Sequence, residues 1–427
     1  MRPHISVKEH HLTIGGVDAV ELADKYGTPL YVTDENRIRA RYREFRDAFS
    51  ALKVEIKYAC KANTSPAVLN ILRQEGAGAD VLSEGELHIV LKAGIAPENI
   101  IFTGNNKTDA ELEKALGAGI TINLGAIHEL ERLKEICEKE KKAARISFRV
   151  NPAVSPETHP HLSTGLKESK FGIPESDVLK AYSLAKDHKY LKISGIHMHI
   201  GSQITKTSPY KEATSKLFDL VGRLKEDGIE LDFVDLGGGV GIRYTQDQPY
   251  ITPADLAEAI VPVIKRKIEE HGLGDLAIYF EPGRYIVGDA GIMLARVSTI
   301  KAGHKKFIGT DAGFHVLLRP ILYGAHHEAV VANKMDLKPD ETVDIVGNVC
   351  ESGDILAKDR TLPKIETGDV IAFLDAGAYG MIMASQYNSR PIPAEVLVAN
   401  GEHDLIRERE TFDDLLDKQH VPDRLKR

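Results

Sequence analysis

The stretch "VEIKYACKANTSPAVLNILRQEG" (54–76) contains the unit that decides the fold. Residues 54–59 form a short run with the β-branched and aromatic side chains that strands favour. A helical pattern follows, in which Ser65 is placed to act as N-cap and Pro66 to occupy the first helical position. Lys61 lies between the two, just past the predicted end of the strand. Taken alone, such a lysine is a solvated loop side chain, so the rest of the sequence must decide whether it has a function.

Eight apolar runs of this kind, most of them followed by a helical pattern, occupy the first two thirds of the chain. They are "VEIKYA" (54–59), "ADVL" (79–82), "NIIF" (99–102), "ITINL" (120–124), "RISFRV" (145–150), "ISGIHMHI" (193–200), "DFVDLG" (232–237) and "LAIYFE" (276–281). Alternating strands and helices predict a parallel sheet, and eight such units predict a (β/α)8 TIM-type barrel. The helix after the eighth run is hard to see. A doubly wound open sheet is the alternative.

From about Tyr285 the pattern changes to strand-like runs broken by turn residues, such as "EAVVAN" (328–333) and "TVDIVGNV" (342–349). Short strands without intervening helices predict a C-terminal all-β domain of the sandwich or barrel kind. The early run "LTIGGV" (12–17) precedes the barrel and has no helical partner of its own. We therefore expect it to pair into the β-rich domain.

The predicted domain division follows from these two patterns. Residues 30–284 form the (β/α)8 barrel, and residues 1–29 join residues 285–427 in the β-rich domain. The last stretch, 407–427, is strongly charged and is predicted to be helical. From about residue 417 it is expected to fray as a tail.

Composition excludes several classes of protein. Of the 427 residues, 28% are charged and 42% hydrophobic, the balance of a folded soluble protein. The 55 basic and 63 acidic residues give a formal net charge of −8, so we expect no nucleic-acid partner and no membrane partner. The N-terminus has no apolar segment typical of a secretory signal. Three scattered cysteines, Cys60, Cys137 and Cys350, suit a reducing cytoplasm.

Glycines and polar side chains at predicted strand ends suggest a phosphate site. In (β/α)8 barrels the chemistry lies at the C-terminal ends of the strands, and phosphates bind after strands seven and eight. The glycine run 237–239 follows the seventh strand, and Gly283 and Arg284 follow the eighth. Together with Ser202 after the sixth strand, their backbone and side-chain donors could converge on one anion.

A lysine, a phosphate site and a carboxylate at neighbouring strand ends fit pyridoxal phosphate better than a metal. Lys61 would form the Schiff base with the cofactor. Glu281 would keep the pyridine nitrogen protonated, and a protonated ring is the stronger electron sink for loss of CO2. The imidazole of His199 could stack on the ring face.

A metal-dependent hydrolase is the alternative from a different class. His197 and His199 lie two residues apart on a strand and so point to the same side. With Asp235 and Glu281 they could form a hydrolytic metal site. The simplest interpretation of the pair is structural, with one histidine packed inside the barrel and the other lining the pocket.

The chain also resembles the barrel-type (fold type III) pyridoxal-phosphate decarboxylases from about residue 10 to about residue 415. The resemblance rests on "YACKAN" (58–63), "HMHIGSQI" (197–204), "DLGGGVGI" (235–242), "EPGRYIV" (281–287), "RPILYGAHH" (319–327), "CESGD" (350–354) and "DAGAYG" (375–380). Within that family, "FRVNPAVSPETHPHLSTGLKESKFGI" (148–173) and "CESGD" are most similar to the members that act on diaminopimelate. The resemblance implies a homodimer with its active site at the subunit interface.

Roles for individual cofactor residues follow from the resemblance. It implies Lys61 as the Schiff-base lysine and His199 over the ring. Ser202, Gly238 and Gly239 would lie near the phosphate. Further cofactor-binding positions are Glu281 at the ring nitrogen, Gly283, Arg284 and Tyr379.

Substrate and catalytic roles are implied in the same way. Cys350 would be the proton donor and Glu351 a substrate ligand, both contributed by the partner subunit. The substrate pocket would be completed by Arg284, Arg319, Tyr323 and Tyr379.

These roles predict decarboxylation of meso-2,6-diaminopimelate to L-lysine and CO2, the last step of lysine biosynthesis. Arg284 and Arg319 could bind the distal carboxylate of this substrate while Glu351 takes the ammonium group. Ornithine lacks that carboxylate. The alternatives are a related decarboxylase of ornithine, arginine or carboxynorspermidine, an amino-acid racemase, a non-catalytic pyridoxal-phosphate carrier, and the metal-dependent hydrolase.

Overall fold

The computed structural model describes residues 4–154 and 170–426. The chain divides into two compact units: the barrel unit, Ile38–Val287, and the β-rich unit, Met1–Arg37 with Gly288–Arg427. The barrel unit begins at residue 38, whereas the sequence predicted that it begins at residue 30.

The N-terminal region supplies short strands to the β-rich unit. Its elements are β1 (Ile5–Lys8), β2 (His11–Ile14), β3 (Val17–Asp18), α1 (Ala19–Tyr26), β4 (Leu30–Asp34) and α2 (Glu35–Ala48). Residues 12–17 lie in the β-rich unit, where β1, β2 and β3 form an antiparallel sheet of their own beside the main sheet. Gly15 and Gly16 have φ values of 59° and 84°, which let the chain turn back from β2 into β3.

The barrel unit alternates strands and helices along the chain. Its elements after α2 are β5 (Val54–Ala59), α3 (Pro66–Gln74), β6 (Gly78–Val81), α4 (Glu84–Lys92), β7 (Ile100–Phe102), α5 (Asp109–Ala118), β8 (Thr121–Leu124), α6 (Ile127–Glu140), β9 (Ala144–Asn151), β10 (Ile173–Pro174), α7 (Val178–Lys186), β11 (Leu191–Met198), α8 (Ser208–Glu226), β12 (Phe233–Asp235), α9 (Pro253–His271), β13 (Ala277–Phe280) and α10 (Arg284–Val287).

Eight of these strands close into a parallel barrel. The order β9-β11-β12-β13-β5-β6-β7-β8 returns to β9, and the short β10 lies beside β9 outside the ring. Strands β13 and β5 join the last unit to the first, with Ile278 opposite Val54. The predicted (β/α)8 barrel is therefore confirmed, and the open doubly wound sheet is wrong. The eighth helix, α10, has only four residues, which explains why its pattern is weak in the sequence.

Local sequence signals set the helix boundaries in the barrel. Pro66 is the first residue of α3 and Ser65 occupies its N-cap position, as predicted, although the Ser65 side chain makes no capping hydrogen bond. Helix α9 begins with a capping box between Thr252 and Asp255, which satisfies backbone N–H groups that have no partner within the helix. It ends at Gly272 in the left-handed conformation that favours glycine.

The rest of the β-rich unit consists mainly of strands. They are β14 (Gly291–Ala302), β15 (Lys306–Thr310), β16 (Ala329–Val331), β17 (Glu341–Val346), β18 (Ile355–Leu362), β19 (Val370–Phe373), β20 (Ala394–Ala399) and β21 (Glu402–Arg407), with one helix, α11 (Arg319–Tyr323). The main path of the sheet is β18-β17-β15-β14-β4-β20-β21, and β19 joins β14 to β16. Because β4 pairs with both β14 and β20, it belongs to this sheet and not to the barrel.

The predicted C-terminal helix is wrong. Residues 411–426 form turns and one 3₁₀ turn, Asp423–Leu425. Most side chains of this segment are exposed. A short helix without a buried face is only marginally stable in water, which accounts for the difference. Over residues 4–154 and 170–426, no helix is long and apolar enough to cross a membrane.

Candidate active site

Lys61 lies beside a buried carboxyl group at the end of β5. It is the middle residue of a 3₁₀ turn, Cys60–Ala62, and its Nζ is 3.9 Å from Oδ2 of Asp80 on β6. Asp80 has no exposed surface, and its Oδ1 accepts a hydrogen bond from Thr103. Burial, followed by the charge of Glu281, raises the pKa of Asp80 to about 8, although Lys61 opposes this shift. Lys61 is therefore part of a polar cluster and not a solvated loop side chain.

Glu281 is the second buried carboxylate, at the end of β13. It is 3% exposed, and its Oε2 accepts a hydrogen bond of 3.3 Å from Nε2 of His197. Burial alone would raise its pKa, but the contact with His197 and the charge of Lys61 hold the pKa below its usual value. Glu281 thus carries a negative charge at neutral pH. Its other oxygen, Oε1, is buried as well, and the side chain of Asp235 is a further hydrogen-bond partner of the Glu281 carboxylate.

Asp235, at the end of β12, is protonated, whereas Glu281 is ionised. Its Oδ1 accepts a hydrogen bond of 2.8 Å from the backbone N–H of Gly237. Burial, followed by the charge of Glu281, raises the pKa of Asp235 well above its usual value. Ionising two neighbouring buried carboxyl groups has a large free-energy cost, so Asp235 keeps its proton and Glu281 carries the charge. With His197, the two groups place three possible metal-ligand atoms within 4.8 Å of one another.

His199 follows β11 and is a neutral imidazole. The backbone N–H of Gly238 donates to its Nδ1 at 3.2 Å, so Nδ1 carries no proton. Burial, followed by the charge of Lys61, lowers the pKa of His199 well below its usual value. A neutral ring held in this way can lie against an aromatic ligand without introducing a charge.

The glycine run after β12 is packed so closely that only glycine fits. A Cβ on Gly238 would lie 2.0 Å from the carbonyl oxygen of Glu281, and one on Gly239 would lie 2.2 Å from that of Gly201. Gly239 also has a φ of 102°, which L side chains rarely adopt. The N–H groups of Gly237 and Gly238 already donate to Asp235 and His199, so an anion bound at this loop would receive the N–H of Gly239.

Arg284 connects the segment that follows the glycine run to the segment that follows β11. Its Nη2 donates to Ser202 Oγ at 3.0 Å, and its Nη1 donates to Tyr244 Oη at 2.8 Å. Arg284 is 6% exposed. A nearly buried guanidinium next to the glycine loop favours a phosphate group as the ligand.

The end of the barrel thus brings together the barrel residues that the sequence predicted. They are Lys61, His199, Ser202, Gly238, Gly239, Glu281, Gly283 and Arg284. The structure adds Asp80 and Arg149, which the sequence analysis missed. Arg149, on β9, interacts electrostatically with Glu281, Asp80 and Asp235. An acidic residue inside the apolar run "ADVL" was the available signal for Asp80, because charged residues are rarely buried without a partner.

Cys350 and Glu351 lie in the β-rich unit, in the loop between β17 and β18. Both are exposed. Asn388 holds the cysteine from two sides: its Nδ2 donates to Cys350 Sγ at 3.4 Å, and its Oδ1 accepts from the Cys350 N–H at 3.3 Å. Tyr387 Oη donates to Glu351 Oε1 at 2.5 Å.

Asp354, the last residue of "CESGD", fixes this loop. Its Oδ1 accepts the N–H of Phe314 at 2.7 Å, and its Oδ2 accepts the N–H of Val349 at 3.0 Å. The side chain is 4% exposed. A buried carboxylate bonded to backbone N–H groups on both sides makes the loop that carries Cys350 locally rigid.

Three other predicted residues lie in the β-rich unit, two of them on one helix. Arg319 begins α11 and is 4% exposed, and Tyr323 ends the same helix, half-buried. Tyr379 lies in the turn after β19, with a φ of 56°. Residues 155–169, which contain most of the sequence motif 148–173, lie outside the described residues.

The geometry of the barrel end fits pyridoxal phosphate. A lysine, a glycine loop next to Ser202 and Arg284, and an ionised Glu281 lie at neighbouring strand ends. The buried carboxylate of Glu281, which its low pKa keeps ionised, can accept a hydrogen bond from a protonated ring nitrogen. Fold and site together define a pyridoxal-phosphate enzyme built on a (β/α)8 barrel.

Comparison with known proteins identifies the family. Residues 35–288 match the family described as "Pyridoxal-dependent decarboxylase, pyridoxal binding domain". The diaminopimelate decarboxylase of Methanothermobacter thermautotrophicus is 50% identical, over 100% of this chain and 99% of that protein. This chain belongs to the diaminopimelate decarboxylases, a branch of the pyridoxal-dependent decarboxylases.

Solved structures agree with this assignment. The crystal structure of diaminopimelate decarboxylase from M. jannaschii has a TM-score of 0.93 and 40% identity, and 99% of each chain is covered. The same values hold for the structure of that enzyme in complex with L-lysine. The predicted family, fold class and cofactor are confirmed. The roles of individual residues stay predictions.

Proposed function

We propose that this protein decarboxylates meso-2,6-diaminopimelate to L-lysine and CO2. The observation that carries the proposal is the barrel end, where Lys61, the glycine loop with Arg284, and an ionised Glu281 meet. The family to which the chain belongs supports the choice of substrate. The metal-dependent hydrolase is not favoured, because the full-length relatives are named as decarboxylases.

Barrel residues would hold the cofactor. Lys61 would bind it covalently, and Gly238 and Gly239 would lie near its phosphate, which the N–H of Gly239 would bind with Ser202 and Arg284. When bound, pyridoxal phosphate supplies an electron sink for the electron pair that remains after CO2 leaves. Glu281 would hold a proton at the ring nitrogen, because its own low pKa keeps it ionised. The neutral His199 would cover one face of the ring.

The β-rich unit would supply substrate recognition. Arg319 would bind the distal carboxylate of the substrate, and Glu351 would bind the distal ammonium group. A substrate without that carboxylate would leave the buried Arg319 without its anionic ligand, which costs binding free energy. Tyr323 and Tyr379 would complete the pocket.

Cys350 would return a proton to the carbon that loses CO2. Its Sγ–H would donate the proton, and the resulting thiolate would then be reprotonated from solvent. The amide of Asn388 next to Sγ supports this role, because a donor of this kind stabilises a thiolate. We infer that Cys350 and Glu351 act across a homodimer interface and that the enzyme works in the cytoplasm.

The first experiment is the visible absorption spectrum of the purified protein before and after borohydride reduction, followed by peptide mapping. We expect a yellow protein that loses its visible band on reduction, with the adduct on Lys61. A Lys53→Ala variant, which changes an exposed lysine before β5, should label as the wild type does, whereas Lys61→Ala should not label.

The second experiment measures CO2 release from a panel of amino acids. We expect meso-diaminopimelate to be the preferred substrate over ornithine, arginine and carboxynorspermidine. A labelled Lys61 with preference for ornithine would retain the cofactor site and reject the proposed substrate. A protein that takes up no pyridoxal phosphate would contradict the decarboxylase function itself, and one that interconverts stereoisomers without CO2 release would be a racemase.

A further inference from the structure

A buried histidine in the β-rich unit contacts Arg319 directly. Nη1 of Arg319 lies 2.8 Å from Nε2 of His327, and Nδ1 of His327 lies 2.8 Å from the carbonyl oxygen of Leu374. His327 has no exposed surface, and Arg319 is 4% exposed. These contacts form a hydrogen-bonded chain from α11 to the end of β19.

The partners of His327 determine where its proton lies. A guanidinium can only donate, so Nε2 must accept and carries no proton. A carbonyl oxygen can only accept, so Nδ1 must carry the proton and donate. His327 is therefore a neutral imidazole in a single tautomer. An imidazolium would place an N–H against the guanidinium, with like charges in contact.

We propose that His327 is a positioning residue that holds the guanidinium of Arg319 for the distal carboxylate of the substrate. The inference rests on the proposed function, because that function assigns the carboxylate to Arg319. An arginine side chain has several rotatable bonds, and bidentate binding of a carboxylate requires one orientation of its planar group. A rigid, neutral acceptor at Nη1 fixes that orientation before the ligand binds and leaves the positive charge available to it.

The experiment measures binding of L-lysine and of cadaverine to the holoenzyme. L-lysine carries the carboxylate that Arg319 is proposed to bind, and cadaverine has the two amines without it. In His327→Asn the amide can still donate to the carbonyl of Leu374, but it is too short to reach Arg319. We expect this variant to bind L-lysine roughly 2- to 10-fold more weakly, the effect of ordering one flexible side chain on binding, and cadaverine unchanged.

His327→Gln is the rescue variant, because its longer side chain can bring an acceptor oxygen to Arg319. We expect a smaller loss of L-lysine affinity than in His327→Asn. His326→Gln is the matched control: it changes the adjacent, more exposed histidine, which contacts Glu328 and Arg360. It should bind both ligands as the wild type does.

Two results would overturn the inference. One is equal weakening of L-lysine and cadaverine binding in His327→Asn, and the other is no weakening at all. If the wild type itself bound no L-lysine and released no CO2 from meso-diaminopimelate, the proposed function and the role of His327 would fail together. Nitrogen NMR of the wild type provides a test without a variant, since a proton on Nε2 of His327 would contradict the geometry.

Discussion

The carboxyl groups at the barrel end are buried, whereas the thiol and carboxylate of the β17–β18 loop are exposed. Asp80, Asp235 and Glu281 are each at most 3% exposed, and their protonation states differ because they lie close to one another. Cys350 and Glu351 contact Asn388 and Tyr387 at the surface of the β-rich unit.

The difference shows two ways of preparing polar groups for chemistry. In the barrel, parallel strand ends place charges in a buried environment, so burial and neighbouring charges set the pKa values before any ligand binds. In the β-rich unit, a loop fixed by Asp354 holds accessible side chains in place. We expect substitutions in the barrel to change both the cofactor and turnover, and substitutions in the loop to change turnover alone.

The largest effect is expected for Glu281→Gln. A neutral amide cannot hold a proton at the ring nitrogen, so turnover of meso-diaminopimelate should fall by roughly 10³-fold, the upper range for removing one electrostatic stabiliser. The visible spectrum of the bound cofactor should change as well. Steady-state kinetics and absorption spectroscopy of the holoenzyme measure the two effects.

Glu55→Gln is the control for this prediction. Glu55 lies near the start of β5, at the opposite end of that strand from Lys61, and pairs with Lys57. It should leave turnover and spectrum unchanged. If Glu281→Gln kept both properties of the wild type, the ring-nitrogen role of Glu281 would be wrong.

A smaller effect is expected for Cys350→Ala. Loss of the proton donor should lower turnover by roughly 10²-fold, the lower range for removing a general acid. The spectrum and the retention of the cofactor should match those of the wild type. Cys137→Ala, which changes a buried thiol in α6, should have normal turnover. An unchanged turnover number in Cys350→Ala would remove this residue from the mechanism.

The smallest effect concerns the stability of the cofactor-free protein. The pKa of Asp80 is about 8 in the folded state against an ordinary value of 3.8. The folded protein therefore keeps a proton that the unfolded chain releases, and stability from this group is lost as the pH rises from about 4 to about 8. Between about pH 5 and about pH 7, the free energy of unfolding should fall by roughly 1–3 kcal/mol less in Asp80→Asn than in the wild type.

Urea unfolding of the cofactor-free protein at the two pH values measures this difference. Asp227→Asn, at an exposed position after α8, should show the same pH dependence as the wild type. If the free energy of unfolding had the same pH dependence in Asp80→Asn as in the wild type, Asp80 would already be ionised in the folded protein. The barrel end would then hold more negative charge than its geometry indicates.

Much of the fold could be predicted because local patterns and the global structure agree. The predicted first strand, 54–59, has the bounds of β5, and Ser65 and Pro66 start α3 as expected. The residues after the predicted strands also indicated which side chains cluster at the barrel end, because parallel strands bring their C-terminal ends to one side. The prediction of a helix over residues 407–427 is wrong because a charged helical pattern without a buried face does not stabilise a helix.

The sequence alone determined the eight strand–helix units, the glycines that a close-packed loop requires, and the residue types at each strand end. The tertiary structure decided what those residues do to one another. Asp80 became a partner of Lys61, Asp235 and Glu281 took opposite protonation states, and His327 came to face Arg319. Periodicity is a local property that a chain carries in its order, whereas burial and charge coupling depend on distances between residues far apart in that order.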